Sequence, residues 1–190
     1  ITFVGELGWE LYVPTEFTLH VFDGLVEAGA ELGLVHAGFQ ALNTLRLEKA
    51  YRDYGYDIDN MDTPLEVGLG YAVDFAKPGG FVGREALLRQ REKGILESRL
   101  VQVLLEDPQP LLYGSEPIYR DGERVGYLGS GGYGHTLGGA VGLGHIENAQ
   151  GVTAGFVKSG RYEIEVAGVR YPARASLRPF YDPLGKRVRS

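Results

Sequence analysis

No cysteine occurs anywhere in the 190 residues. That absence removes disulfide staples, thiolate metal sites and a cysteine nucleophile together, and it fits a reducing compartment, so a cytoplasmic location is expected. Long apolar runs are missing too. None approaches the ~20 residues a spanning helix needs, and no membrane partner is expected. Basic residues are in deficit, 19 against 25 acidic, and are scattered apart from the closing GKRVR. With a net charge of −6, nucleic acid is not an expected partner. The four histidines, His20, His36, His135 and His145, show no metal-ligand spacing, and no serine lies in a GxSxG elbow. No metal site is expected, and hydrolase chemistry has no support.

What is present describes an ordinary folded chain. Hydrophobic residues make up 44% and charged residues 23%, which suits one domain or two of about 100 residues each. The sequence opens on ITFVGE without an initiator Met, a charged leader or a cleavage pattern, as expected of a piece of a longer protein. Residues 2 to 13 are rich in β-branched and aromatic types and predict extended structure, with Gly5 and Gly8 marking a bulge or a close backbone approach. Glu6 stands out in that stretch, because a carboxylate among apolar residues and glycines is costly to bury without donors.

Pro14 and Thr15 then start a helix whose apolar row is Phe17, Val21 and Leu25, with Phe22 and Val26 beside it and Gly29 at its end. A second helix is predicted from about residue 37 to 51, with Phe39, Leu42, Leu45 and Ala41 facing inward. Arg46, between two leucines, calls for a carboxylate from the protein or from a ligand. The acids of YRDYGYDIDNMDTPLE, residues 51 to 66, do not fit a calcium loop, and Asp59 and Asp62 read as helix-capping aspartates of a solvated loop. Tyr54 and Tyr56 beside a glycine are suited to stacking on a flat ligand. Residues 64 to 76 predict an irregular strand. Residues 83 to 94 predict a short helix with a Glu85–Arg89 pair.

After about Ser98 the helical period stops. Short strand candidates separated by turn residues follow: RLVQVLLE, EPIYRDGERVGYLGS, GAVGLGHIE and RYEIEVAGVRYPARA, the last folding at Ala167-Gly168. The fold class is therefore α+β: an α+β front part, residues 1–96, and an all-β C-terminal barrel domain, residues 97–190. The glycines of GSGGYGHTLGGAVGLG, residues 129 to 144, lack the GK[ST] ending of a phosphate loop, and closely packed strand backbones account for them better.

The ordered series VGELGWEL (4–11), LRLEKAYRDYGYDID (45–59), TPLEVGLGYAV (63–73), FVGREAL (81–87) and PFYDPLGKRVR (179–189) resembles the aminomethyltransferase (glycine cleavage T-protein) superfamily. It is most like the C-terminal folate-binding region of sarcosine and dimethylglycine dehydrogenases. The resemblance implies a partial folate-binding domain followed by the family's barrel, with tetrahydrofolate as ligand and FAD in the parent protein only. Glu6 matches the family's pterin-reading glutamate; Arg46 and Tyr54 match its folate surroundings, and Lys77 lies near a basic position that holds the folate tail. The family reaction delivers an aminomethyl or iminium carbon to folate and uses an aspartate that has no match in this chain. No catalytic residue is assigned, and the chain alone is expected to be catalytically incomplete, its partners being upstream folate-binding and flavin domains. Two alternatives stand beside this expectation: part of a free-standing glycine cleavage T-protein, or a non-catalytic folate-binding or interaction module.

Overall fold

In the computed structural model, which describes residues 2–189, the chain passes from short helices and turns into a closed sheet. Helix α1 spans Thr18–Gly29, α2 spans Phe39–Glu48 and α3 spans Arg84–Lys93. Strands β1 (Ser98–Leu105), β2 (Pro117–Arg120), β3 (Glu123–Gly134) and β4 (Gly139–Glu147) follow, then a six-residue α4 (Ala154–Ser159), β5 (Tyr162–Val166) and β6 (Val169–Ser176). The six strands pair antiparallel in the order β1-β4-β3-β2-β5-β6 and close into a barrel. Closure removes the open edges a flat sheet would leave.

Alternation along β1 explains its nearly unbroken apolar sequence. Val101, Val103 and Leu105 enter the barrel core with Ile118, Leu128, Ile146 and Ile164. Leu100 and Leu104 point outward into a second cluster with Leu47, Ala50, Val67, Val141 and Leu143. β1 is thus buried on both faces, and α2 lies against the barrel wall. Gln102, on the outward face and fully buried, uses both ends of its amide: its NH2 donates to the Glu48 carbonyl at 3.2 Å and its oxygen accepts from the Phe180 N–H at 2.7 Å.

Several front-half expectations are corrected. Residues 2 to 13 form no strand, because they lie along no strand partner; their main-chain bond to the rest of the molecule is Leu7 N–H to the Arg187 carbonyl, 3.1 Å. Residues 64 to 76 fold into turns and a single 3-10 turn, Gly70–Ala72, since their N–H groups find acceptors three to five residues back, as Leu69 does on Pro64. The apolar row of α1 stays substantially exposed, and Phe39 is 72% exposed while Arg46, Leu47 and Glu48 are the buried residues of α2. Glu85 pairs with Arg84 at 3.0 Å, with no pair to Arg89 among the described residues. Helix α4, which sequence period cannot detect at six residues, is fixed by its cap: Thr153 Oγ1 accepts from Phe156 N–H at 3.0 Å.

Candidate functional site

The end of α2 carries three polar anchors, Arg46, Glu48 and the C-cap Lys49, around the buried Leu47. Arg46, 2% exposed, donates to Asp57, to Ser130 Oγ at 2.9 Å, to Asn43 Oδ1 at 3.1 Å and to the Tyr51 carbonyl at 3.2 Å. The carboxylate that its position called for is therefore Asp57, itself buried and accepting from the Asp53 N–H at 2.9 Å. A guanidinium satisfied this fully holds the 51–58 loop in shape and ties it to β3. Glu48 Oε1 accepts from the N–H groups of Thr136 and Leu137 at 2.7 and 2.9 Å, capping the turn between β3 and β4. Lys49 donates to the Asp182 carboxylate at 2.8 Å and to its carbonyl at 3.1 Å.

The loop held by Arg46 meets the barrel where β3 bulges. The register of β3 on β4 shifts between Leu128 and Ser130, at Gly129. A Cβ on Gly129 would stand 2.2 Å from the Tyr56 carbonyl oxygen, so only glycine admits the loop there. His145 on β4 completes the seam, its Nε2 3.1 Å from the Asp57 carbonyl and 3.6 Å from Asp62, its Nδ1 3.3 Å from Ser98 Oγ. Asp59 and Asp62 cap turns and not the expected helix, since no helix starts beside them, and accept from the Met61 and Asp59 N–H groups at 2.7 and 2.8 Å. His135, by contrast, is exposed and edge-on to Tyr133.

Glu6 is set against the same helix end. Gly5, at φ +79°, lies so close to Lys49 that a Cβ would fall 2.0 Å from its Cγ. Phe3 stacks on Tyr51 at 6.3 Å, and Glu6 Oε1 accepts from the Tyr181 hydroxyl at 2.7 Å. That hydrogen bond to Glu6 is the main cause of the raised pKa of Tyr181. Asp182 is pushed the other way, to about 2, chiefly by the Lys49 hydrogen bond, with the Lys186 and Arg187 N–H groups adding to it. Glu6 is half-buried and Tyr54 is 69% exposed. One hydroxyl fixes the Glu6 carboxylate without exhausting its roughly four acceptor sites.

Of the residues expected at a site, then, Tyr54 is exposed, Glu6 is half-buried against Tyr181, and Arg46 is internal. Lys77 lies by the Gly79-Gly80 turn before α3. Tyr181, Lys49, Asp182 and Glu48 were not singled out by sequence reasoning. Their only signal was membership of the LRLEK and PFYDPLGK strings, since no period marks a charged residue that folds inward. Among the described residues no group of three or more His, Cys, Asp or Glu side chains is arranged to hold a metal ion. No helix is long and apolar enough to cross a membrane.

Short helices leading into a closed six-stranded antiparallel barrel, with the end of α2 packed on its wall, define the chain as an α+β protein. The family model of the GCVT N-terminal domain matches residues 1–77, and that of the glycine cleavage T-protein C-terminal barrel domain matches residues 99–182. The chain belongs to the aminomethyltransferase, or glycine cleavage T-protein, superfamily. It is 45% identical over its whole length to a 4-methylaminobutanoate oxidase (formaldehyde-forming) of Paenarthrobacter nicotinovorans, spanning 22% of that protein. It is 41% identical, again over its whole length, to the mitochondrial sarcosine dehydrogenase of Homo sapiens, spanning 21% of it. The crystal structure of the glycine cleavage system aminomethyltransferase T from Bartonella henselae superposes with a TM-score of 0.74, covering 90% of this chain and 45% of that one at 23% identity, a likeness of fold. The chain thus spans about a fifth of the length of these curated relatives.

Proposed function

We propose that this chain is the tetrahydrofolate-binding C-terminal portion of a flavin-dependent N-methyl amine dehydrogenase of the sarcosine or dimethylglycine type, supporting one-carbon transfer to folate. The observation that carries the reading is Glu6, a half-buried carboxylate oriented by Tyr181 on a segment pinned to Lys49. A pterin offers a ring N–H beside an exocyclic amine, and a carboxylate held in one orientation accepts from both. Tyr54 supplies an exposed ring suited to a flat ligand, and Arg46 keeps the loop that carries it in place.

The remaining roles belong to the larger protein. The GxGxxG string at residues 129–134 lies inside strand β3 and opens no helix, so it lacks the context of a dinucleotide fingerprint, and in this reading FAD and the oxidation of the amine belong to a separate flavin domain. The division into 1–96 and 97–190 has the same basis, as does the assignment of the exposed apolar face of α1 to the preceding part of the folate domain. The chain's own residues bind and orient; no proton-transfer step is assigned to them.

Calorimetric titration of tetrahydrofolate into the full parent protein tests the reading, wild type against Glu6→Gln. Glutamine keeps an acceptor for the Tyr181 hydroxyl but cannot take two N–H groups as a carboxylate does. Affinity is expected to fall roughly tenfold or more. Equal affinity in the two proteins removes Glu6 from the site.

A further inference from the structure

A second feature lies beside the β5–β6 hairpin of the barrel. A groove of about 1250 Å³ runs between α4, the β5–β6 hairpin and the segment that follows β6. Five cations line it: Arg161, paired with Asp121 at 3.9 Å, and Arg99, Lys158, Arg174 and Arg178. None of the last four forms an ion pair or donates a side-chain hydrogen bond among the described residues. Arg174 lies over the Phe180 ring at 5.1 Å. In a chain with more acids than bases, four unpaired cations in one groove are a marked local excess.

Arg99 is the decisive member. The alternation of β1 places it on the inward face, at the end of the row Val101, Val103 and Leu105. Its Nε is buried without a hydrogen-bond partner, and burial lowers its pKa with no carboxylate opposing the effect. A guanidinium does not escape this cost by losing its proton, so it needs an acceptor. Glu106 and Glu163 line the same groove, as does Asp121, which Arg120 holds at 2.6 Å. Neither glutamate pairs with Arg99. The walls between the charges are apolar, from Val157, Leu177 and Phe180.

We propose that this groove binds a small molecule bearing at least two carboxylate or phosphate groups, with Arg99 as the inner anchor and Lys158, Arg174 and Arg178 as the outer contacts. A single anionic group would occupy the Arg99 fork and leave the outer cations unpaired; a second group, set off by a neutral stretch, meets them across the apolar wall. The site is independent of the folate reading, sharing none of its residues.

Calorimetric titration of the chain at low salt with citrate and, separately, inorganic triphosphate provides the test. Saturable one-to-one binding is expected for at least one probe, and the tighter of the two identifies the anionic group. Affinity should fall about tenfold in Arg99→Gln and by a similar factor in the exposed double variant Arg174→Gln/Arg178→Gln, and should be unchanged in Lys93→Gln, a surface cation outside the groove. Should Arg99→Gln fail to fold, the double variant decides alone. No saturable binding of either probe, or an equal loss in Lys93→Gln, overturns the proposal.

Discussion

The barrel and the segment before it solve the same physical problem in different ways. In the barrel, each strand's backbone pairs on both sides and the inward side chains pack against one another, so Ile118, Ile146 and Ile164 are completely buried. The front region has helices but no second layer to lay them on, and Trp9 at 87% and Val35 at 82% exposure stand in solvent. What holds that region is a few polar bonds from one helix end plus the contact of Leu47 and Val67 with the barrel wall. Packing specifies the barrel; charge and hydrogen bonding specify the joint.

The largest blow to this arrangement is expected at the joint. Asp57→Ala leaves the buried Arg46 with only the longer ion pair to Asp53 at 3.8 Å and should cost about 3 kcal/mol by denaturant unfolding. The loss should be accompanied by early exposure of the 51–62 loop to protease. Within the barrel, Ile118→Val removes one methylene from a filled interior and should cost about 0.5–1.5 kcal/mol, with the transition still cooperative. Equal costs for the two variants would erase the distinction between joint and core.

Acid should separate the regions without mutation. The pKa of Asp182 is depressed from 3.8 to about 2, so its bond to Lys49 contributes stability that is whole above pH ~4 and is lost as pH falls toward 2. Amide exchange in residues 182–187 should therefore accelerate across that window while the barrel amides of β1 and β4 stay protected. Smallest of all, Leu19→Gln on the exposed face of α1 should alter stability by less than about 0.5 kcal/mol. A larger change would mean that something covers this face.

The same contrast explains what could be read in the sequence. In the barrel, two-residue alternation and turn dipeptides report directly on burial, and the strands and the Ala167-Gly168 turn were legible from Tyr162, Ile164 and Val166 alternating with glutamates. In the front region the same rule misled. Phe17 and Phe39 follow helical spacing but stay exposed, Phe22 stacks on the His36 ring at 5.5 Å yet is still half in solvent, and the β-branched residues of 2–13 have no ladder to join. For the candidate site, Glu6 was conspicuous as a lone acid among glycines. The need of Arg46 for a carboxylate was legible, but Asp57, eleven residues on, was one of four candidate aspartates. Lys49, Glu48 and Tyr181 were invisible to pattern because each is fixed by a residue distant in sequence: Asp182, the β3–β4 turn and Glu6.

The bond from Leu7 to Arg187 and the hydroxyl of Tyr181 on Glu6 bring the two ends of the described chain to one place. The stretch that follows β6 thus serves both as the last packing of the barrel, through Phe180, and as the clasp of the segment that carries Glu6. Joining those ends by a short linker and opening the chain at the exposed Asp121-Gly122 turn should therefore leave the barrel intact.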